Sequence, residues 1–150
     1  MKLRKLALLL GIAAALSWAG PAYATSYGSA SDPVRIGSDG NGWFYGNITV
    51  YNQQSLRNGY YYRDTAADGD SVYVQTNWSY RDVSADGESY RSSGYDQSPR
   101  IGSADGTVHS EDYDNLISTS DRGRGATKVC EDQSWSPDPC STTVTVTLNY

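Results

Sequence analysis

Residues 70–82 read D-S-V-Y-V-Q-T-N-W-S-Y-R-D, and apolar or aromatic side chains recur at every second position of this stretch. Val72, Val74 and Trp78 fall on one side of an extended chain, and mostly polar side chains fall on the other. A period of two is typical of a β-strand that buries one face. The stretch therefore predicts a long strand from Asp70 to Asp82, bulged or broken near Asn77.

The same alternation recurs towards both ends of the chain. Residues 142–150 read T-T-V-T-V-T-L-N-Y and predict a strand with an apolar and a threonine face. Residues 43–51 predict another strand, with two faces of different chemistry. One face carries Phe44, Ile48 and Val50, and the other carries Trp43, Tyr45, Thr49 and Tyr51.

Further strands are predicted between these segments. Tyr60–Arg63 is expected to be an aromatic strand that follows a turn at Arg57-Asn58-Gly59. Shorter candidates lie at residues 88–92, 107–110, 116–119 and 126–131. Outside the N-terminal segment, no window shows the 3.6-residue apolar period of a helix. The pattern predicts an all-β fold, a small antiparallel β-sandwich or alternatively a partly closed β-barrel, with little or no helix.

Asp-Gly pairs punctuate the predicted strands. They occur at residues 39–40, 68–69, 86–87 and 105–106, and such pairs favour tight turns. Two of them belong to a longer internal echo, in which residues 63–73 resemble residues 81–90. Two copies are too few for a stacked repeat, so the echo is interpreted as repeated hairpin geometry.

The N-terminal 24 residues have the pattern of a secretory signal peptide. Three basic residues precede an apolar run from Leu6 to Leu16, and an Ala22-Tyr23-Ala24 ending follows. The run is too short to span a bilayer, so we expect cleavage before Thr25 and an extracellular, secreted protein. Residues 25–33 are expected to form a flexible arm, and residues 34–150 a single β-sandwich domain.

Charge and composition limit the possible partners and the core. The chain has 17 acidic and 12 basic side chains, and no run of lysine or arginine follows residue 24. Nucleic acids and anionic membranes are therefore not expected as partners. Lys128 is the only lysine beyond residue 24, which is typical of a bacterial, GC-rich genome. With 13 tyrosines and a single phenylalanine, the core is expected to be built largely from tyrosine.

Cys130 and Cys140 are the only cysteines, and an exported chain meets an oxidising environment. A disulfide between them is therefore predicted. The enclosed loop carries Trp135 among polar residues and prolines. This ring is either a binding anchor or a cover over the disulfide, and the cover is favoured because an indole in water forfeits its burial area.

The sequence also resembles a group of short secreted actinobacterial proteins. The resemblance rests on Asp64-x-x-Ala67-Asp68-Gly69-x-Ser71-x-Tyr73 and on the later cysteine pair at Val129-Cys130 and Asp138-Pro139-Cys140-Ser141. It implies a small extracellular β-sandwich over the region from about Tyr62 to the C-terminus. It implies no activity and no catalytic residue.

Asp64, Asp68 and Asp70 could supply oxygen ligands to calcium, and Asp82, Asp86 and Glu88 echo them. The spacing does not match an EF-hand, and an aspartate before glycine is already explained by a turn. No cofactor or metal is therefore expected, with calcium as the alternative.

Catalytic motifs are not evident. His109 is the only histidine, and its surroundings hold no nucleophile elbow, so the protein is not expected to be an enzyme. Trp43, Tyr61 and Trp135 are the candidate binding residues. The sequence predicts a secreted, non-enzymatic binding module for an unknown extracellular protein or glycan. The alternatives are a carbohydrate or cell-wall binder and a secreted protease inhibitor or small toxin.

Overall fold

The computed structural model describes residues 24–37, 41–84 and 86–150, which form nine β-strands and one short 3-10 helix at Ser103–Asp105. The strands are β1 (Ala24–Tyr27), β2 (Val34–Arg35), β3 (Gly42–Tyr51), β4 (Ser55–Asp64), β5 (Ser71–Ser84), β6 (Gly87–Gln97), β7 (Val108–Asn115), β8 (Arg122–Asp132) and β9 (Val144–Asn149).

Two antiparallel sheets build the fold. Sheet A has the order β1-β3-β4-β7, with β2 also paired to β3, and sheet B has the order β6-β5-β8-β9. Their inner faces enclose one apolar core. The all-β class and the sandwich are thus confirmed, and the sandwich rather than its alternative is observed. In the described part of the chain, no helix has the length and apolarity needed to span a bilayer.

The long strand predicted at residues 70–82 is observed as β5, which pairs with β6 on one side and β8 on the other. Val72, Val74 and Trp78 are buried, as the alternation predicts. The register against β6 shifts between Trp78 and Ser79, which confirms an irregularity near Asn77. Strand β9 likewise buries its valine and leucine face.

Tyrosines supply much of the core, as predicted. Tyr60, Tyr62 and Tyr80 are almost fully buried, and each hydroxyl donates a hydrogen bond. The two sheets approach closely at Gly123 and Gly125 of β8. A Cβ atom at Gly125 would lie 2.4 Å from Ile48 Cδ1, so a larger residue there would force the Ile48 side chain to move.

The prediction of a turn at Arg57-Asn58-Gly59 is wrong. Strand β4 runs through these residues, and the chain reverses earlier, where Asn52 and Gln53 have φ angles of 51° and 56°. Asn58 is buried inside the sandwich. Its amide donates to Thr76 Oγ1 at 2.8 Å and Thr127 Oγ1 at 3.0 Å, and these bonds satisfy a polar group that a turn would have left in water.

The prediction of a flexible arm at residues 25–33 is wrong for the first part of this segment. Residues 25–27 belong to β1, which pairs with β3. Tyr27 is buried against Phe44, and its hydroxyl donates to Asn58 Oδ1 at 2.6 Å. The packing of this ring and its hydrogen bond hold the segment on the sheet. The predicted signal peptide lies outside the described residues, apart from Ala24.

The two copies of the internal echo have different structures. Asp86-Gly87 closes a hairpin between β5 and β6, as expected. Asp68-Gly69 instead lies in the loop that leads from β4 in sheet A to β5 in sheet B, because β4 pairs with β3 and β7. The hairpin interpretation is therefore wrong for the first copy. Asp39-Gly40 lies outside the described residues.

One predicted strand is absent. Residues 116–119 follow the end of β7 and form a turn, in which Ser120 N donates to Ile117 O at 3.0 Å. Leu116 still packs against the core, so its apolar side chain reflects burial at a turn and not a strand.

Candidate ligand-binding groove

A shallow groove crosses the outer face of sheet A, and the register of the strands builds it. Alternation turns Tyr45 of β3, Tyr61 of β4 and His109 of β7 outwards. Tyr45 pairs with Tyr61, and Tyr61 pairs with His109, so the three rings line up perpendicular to the strands. We call this line, extended by Trp43, the aromatic row.

The rings of the aromatic row are in contact along its length. The ring centroids of Trp43 and Tyr45 are 5.8 Å apart with a 19° interplanar angle, and those of Tyr45 and Tyr61 are 5.4 Å apart with a 21° angle. Tyr61 and His109 approach to 4.7 Å. Tyr61 remains 44% exposed, so part of the row is accessible from solvent.

The floor of the groove is the next line of residues across the sheet. Asn47 pairs with Gly59, and Gly59 pairs with Glu111. A Cβ atom at Gly59 would lie 3.7 Å from Asn47 Oδ1 and 3.9 Å from both Glu111 Oε1 and His109 Nε2. Three polar atoms thus surround the space that the missing side chain leaves open.

Arg57 lines the opposite side of the groove, and two tyrosines that do not line it lie next to Arg57 and Glu111. The Arg57 guanidinium lies 5.1 Å from the Tyr51 ring centroid, and Tyr51 meets Tyr113 edge to face. Arg57 Nη1 is 3.6 Å from Glu111 Oε1, and the Tyr113 hydroxyl donates to the same carboxylate. This hydrogen bond raises the pKa of Tyr113. The walls enclose an open groove of about 340 Å³.

The binding candidates from the sequence have different positions. Tyr61 lies at the centre of the groove, and Trp43 extends the aromatic row. Sequence reasoning missed the other groove residues and considered His109 only as a catalytic residue. Alternation in residues 43–51 already placed Tyr45 beside Trp43, whereas the approach of Glu111 and His109 depends on the pairing of β7 with β4.

Trp135 lies outside the groove, in the loop closed by the confirmed Cys130–Cys140 disulfide. Its side chain is 99% exposed, so the expectation that it covers the disulfide is wrong. Asp138 holds the base of the loop by accepting from Gln133 N at 3.2 Å and from the Tyr73 hydroxyl at 2.7 Å. Polar contacts fix this loop, and the indole takes no part in them.

A second cleft, of about 550 Å³, lies beside the turn at residues 117–121. Its charged groups neutralise one another, since Arg81 forms ion pairs with Asp121 and Glu88. The groove also contains an ion pair, between Arg57 and Glu111, but it adds partly exposed aromatic rings and the polar side chains of Asn47 and His109. Sites for small ligands typically join apolar surface to a few such placed polar groups.

The acidic residues proposed as calcium ligands are also only partly brought together. Asp68 and Asp70 lie close to Glu131, which the sequence did not single out, and Asp64 lies outside this group of three. Neither a scan against models of known protein families nor a search of the curated proteins finds a match to this chain.

Proposed function

We propose that the protein is a secreted, non-catalytic glycan-binding domain that holds a short stretch of a neutral polysaccharide in the groove on sheet A. The aromatic row is the observation that carries this proposal. The exposed parts of these rings provide apolar area against which the C–H groups of a sugar can pack.

The size of the groove fits an oligosaccharide better than a single sugar. Tyr45, Tyr61 and His109 lie on three adjacent strands, and neighbouring strands are about 4.8 Å apart. The row therefore extends over about 10 Å in the direction across the sheet. Asn47, Glu111 and Arg57 lie alongside it and supply acceptors and donors for sugar hydroxyls.

The charge of the protein favours a neutral ligand. The chain has a formal net charge of −5, which opposes the approach of polyanionic glycans. Glu111 is already paired with Arg57 within the groove. Neutral cell-wall polysaccharides are therefore the ligand class that we propose, and the N-terminal export pattern would deliver the domain to them.

The proposal is tested by pulldown of the mature chain on insoluble cellulose, chitin, xylan and peptidoglycan, followed by calorimetry with soluble fragments. Tyr61→Ala is expected to weaken binding about tenfold, because it interrupts the aromatic row. Tyr95→Ala is the matched control, since Tyr95 is also exposed but lies on β6 in the other sheet. Equal affinity in both variants, or retention on none of the polymers, would overturn the proposal.

A second candidate function is binding of an extracellular protein through Trp135. The observation that favours it is the exposed indole on a loop tied by a disulfide and by Asp138. Large exposed aromatic side chains are frequent anchors of protein interfaces. Incubation with common extracellular proteases tests the inhibitor form of this idea, and Trp135→Ala should then restore cleavage of a reporter substrate.

A further inference from the structure

Two carboxylates are buried at one end of the sandwich, on the inner faces of opposite sheets. Asp64 ends β4 in sheet A and is 2% exposed, and Glu131 lies near the end of β8 in sheet B and is 3% exposed. Aspartate and glutamate are rarely buried so completely without a positive partner. A buried carboxylate that remains charged needs a cation nearby.

Asn41 places these two carboxylates near each other. Its backbone carbonyl accepts from Thr65 N at 2.8 Å, next to Asp64, and its side-chain amide donates to Glu131 Oε1 at 3.2 Å. The loop between β4 and β5 passes over the same end. Carboxylate oxygens of Asp68, Asp70 and Glu131 there lie within 4.8 Å of one another.

An unpartnered buried oxygen is a second, independent observation that points to a ligand at this end. Asp64 Oδ1 accepts from Ala66 N at 2.9 Å, but Asp64 Oδ2 is buried and has no hydrogen-bond partner among the residues that the structure describes. Burial raises the pKa of Asp64, and the nearby charges of Asp68 and Asp70 raise it further. Asp64 is the last residue of β4, directly before the loop that carries Asp68 and Asp70.

The internal echo shows how the protein neutralises the same pattern elsewhere. In the second copy, Asp82 pairs with Arg91, and Glu88 pairs with both Arg81 and Arg122. Within the described ranges, no ion pair involves the three carboxylates of the first copy, Asp64, Asp68 and Asp70. The same holds for Glu131, which lies beside them. Arginines thus compensate one copy, whereas no described arginine or lysine forms an ion pair with the other.

We propose that Asp68, Asp70 and Glu131 bind one calcium ion, with Asp64 as a further ligand or as an acceptor for water bound to the ion. Calcium prefers carboxylate oxygens at about 2.3–2.6 Å, so oxygens on opposite sides of one ion are about 4.8 Å apart. The oxygens of the three carboxylates all lie within 4.8 Å of one another, which is close enough for one ion to bind all three. Zinc is disfavoured, because the described residues here offer neither histidine nor cysteine.

Calcium at this position would fasten the β4–β5 loop to β8 and join the two sheets at one end. The ion would replace the mutual repulsion of the carboxylates with attraction. It would also stabilise the folded state in proportion to its occupancy. The site is separate from the groove, so its test does not depend on the proposed glycan binding.

The test uses the complete mature protein, freed of metal with EDTA and then titrated with calcium chloride up to about 10 mM, since extracellular sites bind in the range of about 0.1 to 1 mM. Calorimetry is expected to show saturable heat, and the melting temperature to rise by about 5 °C or more. Magnesium, which demands shorter bonds, is expected to have a much smaller effect.

Variants locate the site. Asp68→Asn and Asp70→Asn are expected to remove at least nine tenths of the calcium affinity, and both residues lie in a loop where folding should survive. Asp82→Asn is the matched control from the second copy and should retain the full response. No heat and an unchanged melting temperature in the wild-type protein would overturn the proposal, as would a response that persists in both loop variants.

Discussion

The inner and outer faces of sheet A use the same residue type for opposite purposes. Tyr60 and Tyr61 are adjacent in β4, yet Tyr60 is fully buried and Tyr61 is 44% exposed. The Tyr60 hydroxyl donates to both oxygens of Asp112, at 3.1 and 3.0 Å, whereas the Tyr61 ring stacks in the groove. In a chain poor in phenylalanine, the position of a tyrosine along the strand decides whether it serves the core or the site.

The inner face shows how a tyrosine-rich core meets its polar requirements. Asp112 accepts from Tyr60 and from Thr76 Oγ1, and Asn58 donates to Thr76 and accepts from Tyr27. Hydrogen bonds thus join β1, β4, β5 and β7 through the centre of the sandwich. Buried polar groups are tolerated when they are satisfied in this way.

The largest expected difference between the two faces concerns stability. Tyr60→Ala should lower the free energy of unfolding by about 3–5 kcal/mol, because it leaves a cavity and removes a donor to buried Asp112. Tyr61→Ala should change it by less than about 1 kcal/mol, since the ring is half exposed. Denaturant unfolding of both variants measures the difference. Equal losses would contradict the division between core and groove.

The faces of sheet A were partly predictable from the sequence. Alternation correctly separated Phe44 and Ile48 from Trp43 and Tyr45, because that separation depends only on neighbouring residues. The pairing of β7 with β4 was not predictable, since it depends on contacts distant in sequence. It is this pairing that brings Glu111 to the groove.

Local signals failed where distant contacts outweighed them. Asn58-Gly59 is a typical turn pair, but its amide finds three partners in the core, and the chain stays extended. Residues 25–27 have little strand character, and Tyr27 nevertheless docks them on β3. The two copies of the internal echo have similar acidic residues in the sequence. Only the structure shows that arginines form ion pairs with the second copy and not with the first.

A second difference between the faces concerns pH. Burial raises the pKa of Asp112 to about 6 from the ordinary value of 3.8, although hydrogen bonds from Thr76 and Tyr60 act in the opposite direction. The folded protein therefore retains a proton that the unfolded chain releases. This contribution to stability is fully present below about pH 4 and is lost as the pH rises through about 6.

The measurement is the free energy of unfolding of the wild type and of Asp112→Asn between pH 4 and pH 7. Asparagine cannot ionise, so the stability of the wild type relative to the variant should fall as the pH rises over this range. A constant offset between the two proteins would contradict the raised pKa.

The smallest expected effect on stability comes from the floor of the groove. Gly59→Ala places a Cβ atom in ordinary contact with Asn47, Glu111 and His109, at a φ angle outside the left-handed region. The free energy of unfolding should change by less than about 1 kcal/mol, since alanine has less conformational freedom to lose on folding than glycine. The added methyl nevertheless occupies the space that the three polar atoms surround, so glycan affinity should fall severalfold.

Gly102→Ala is the control, because a Cβ there meets nothing within 4 Å and lies outside the groove. Unchanged affinity in Gly59→Ala would indicate that the bound sugar does not contact the floor of the groove and contacts only the aromatic row.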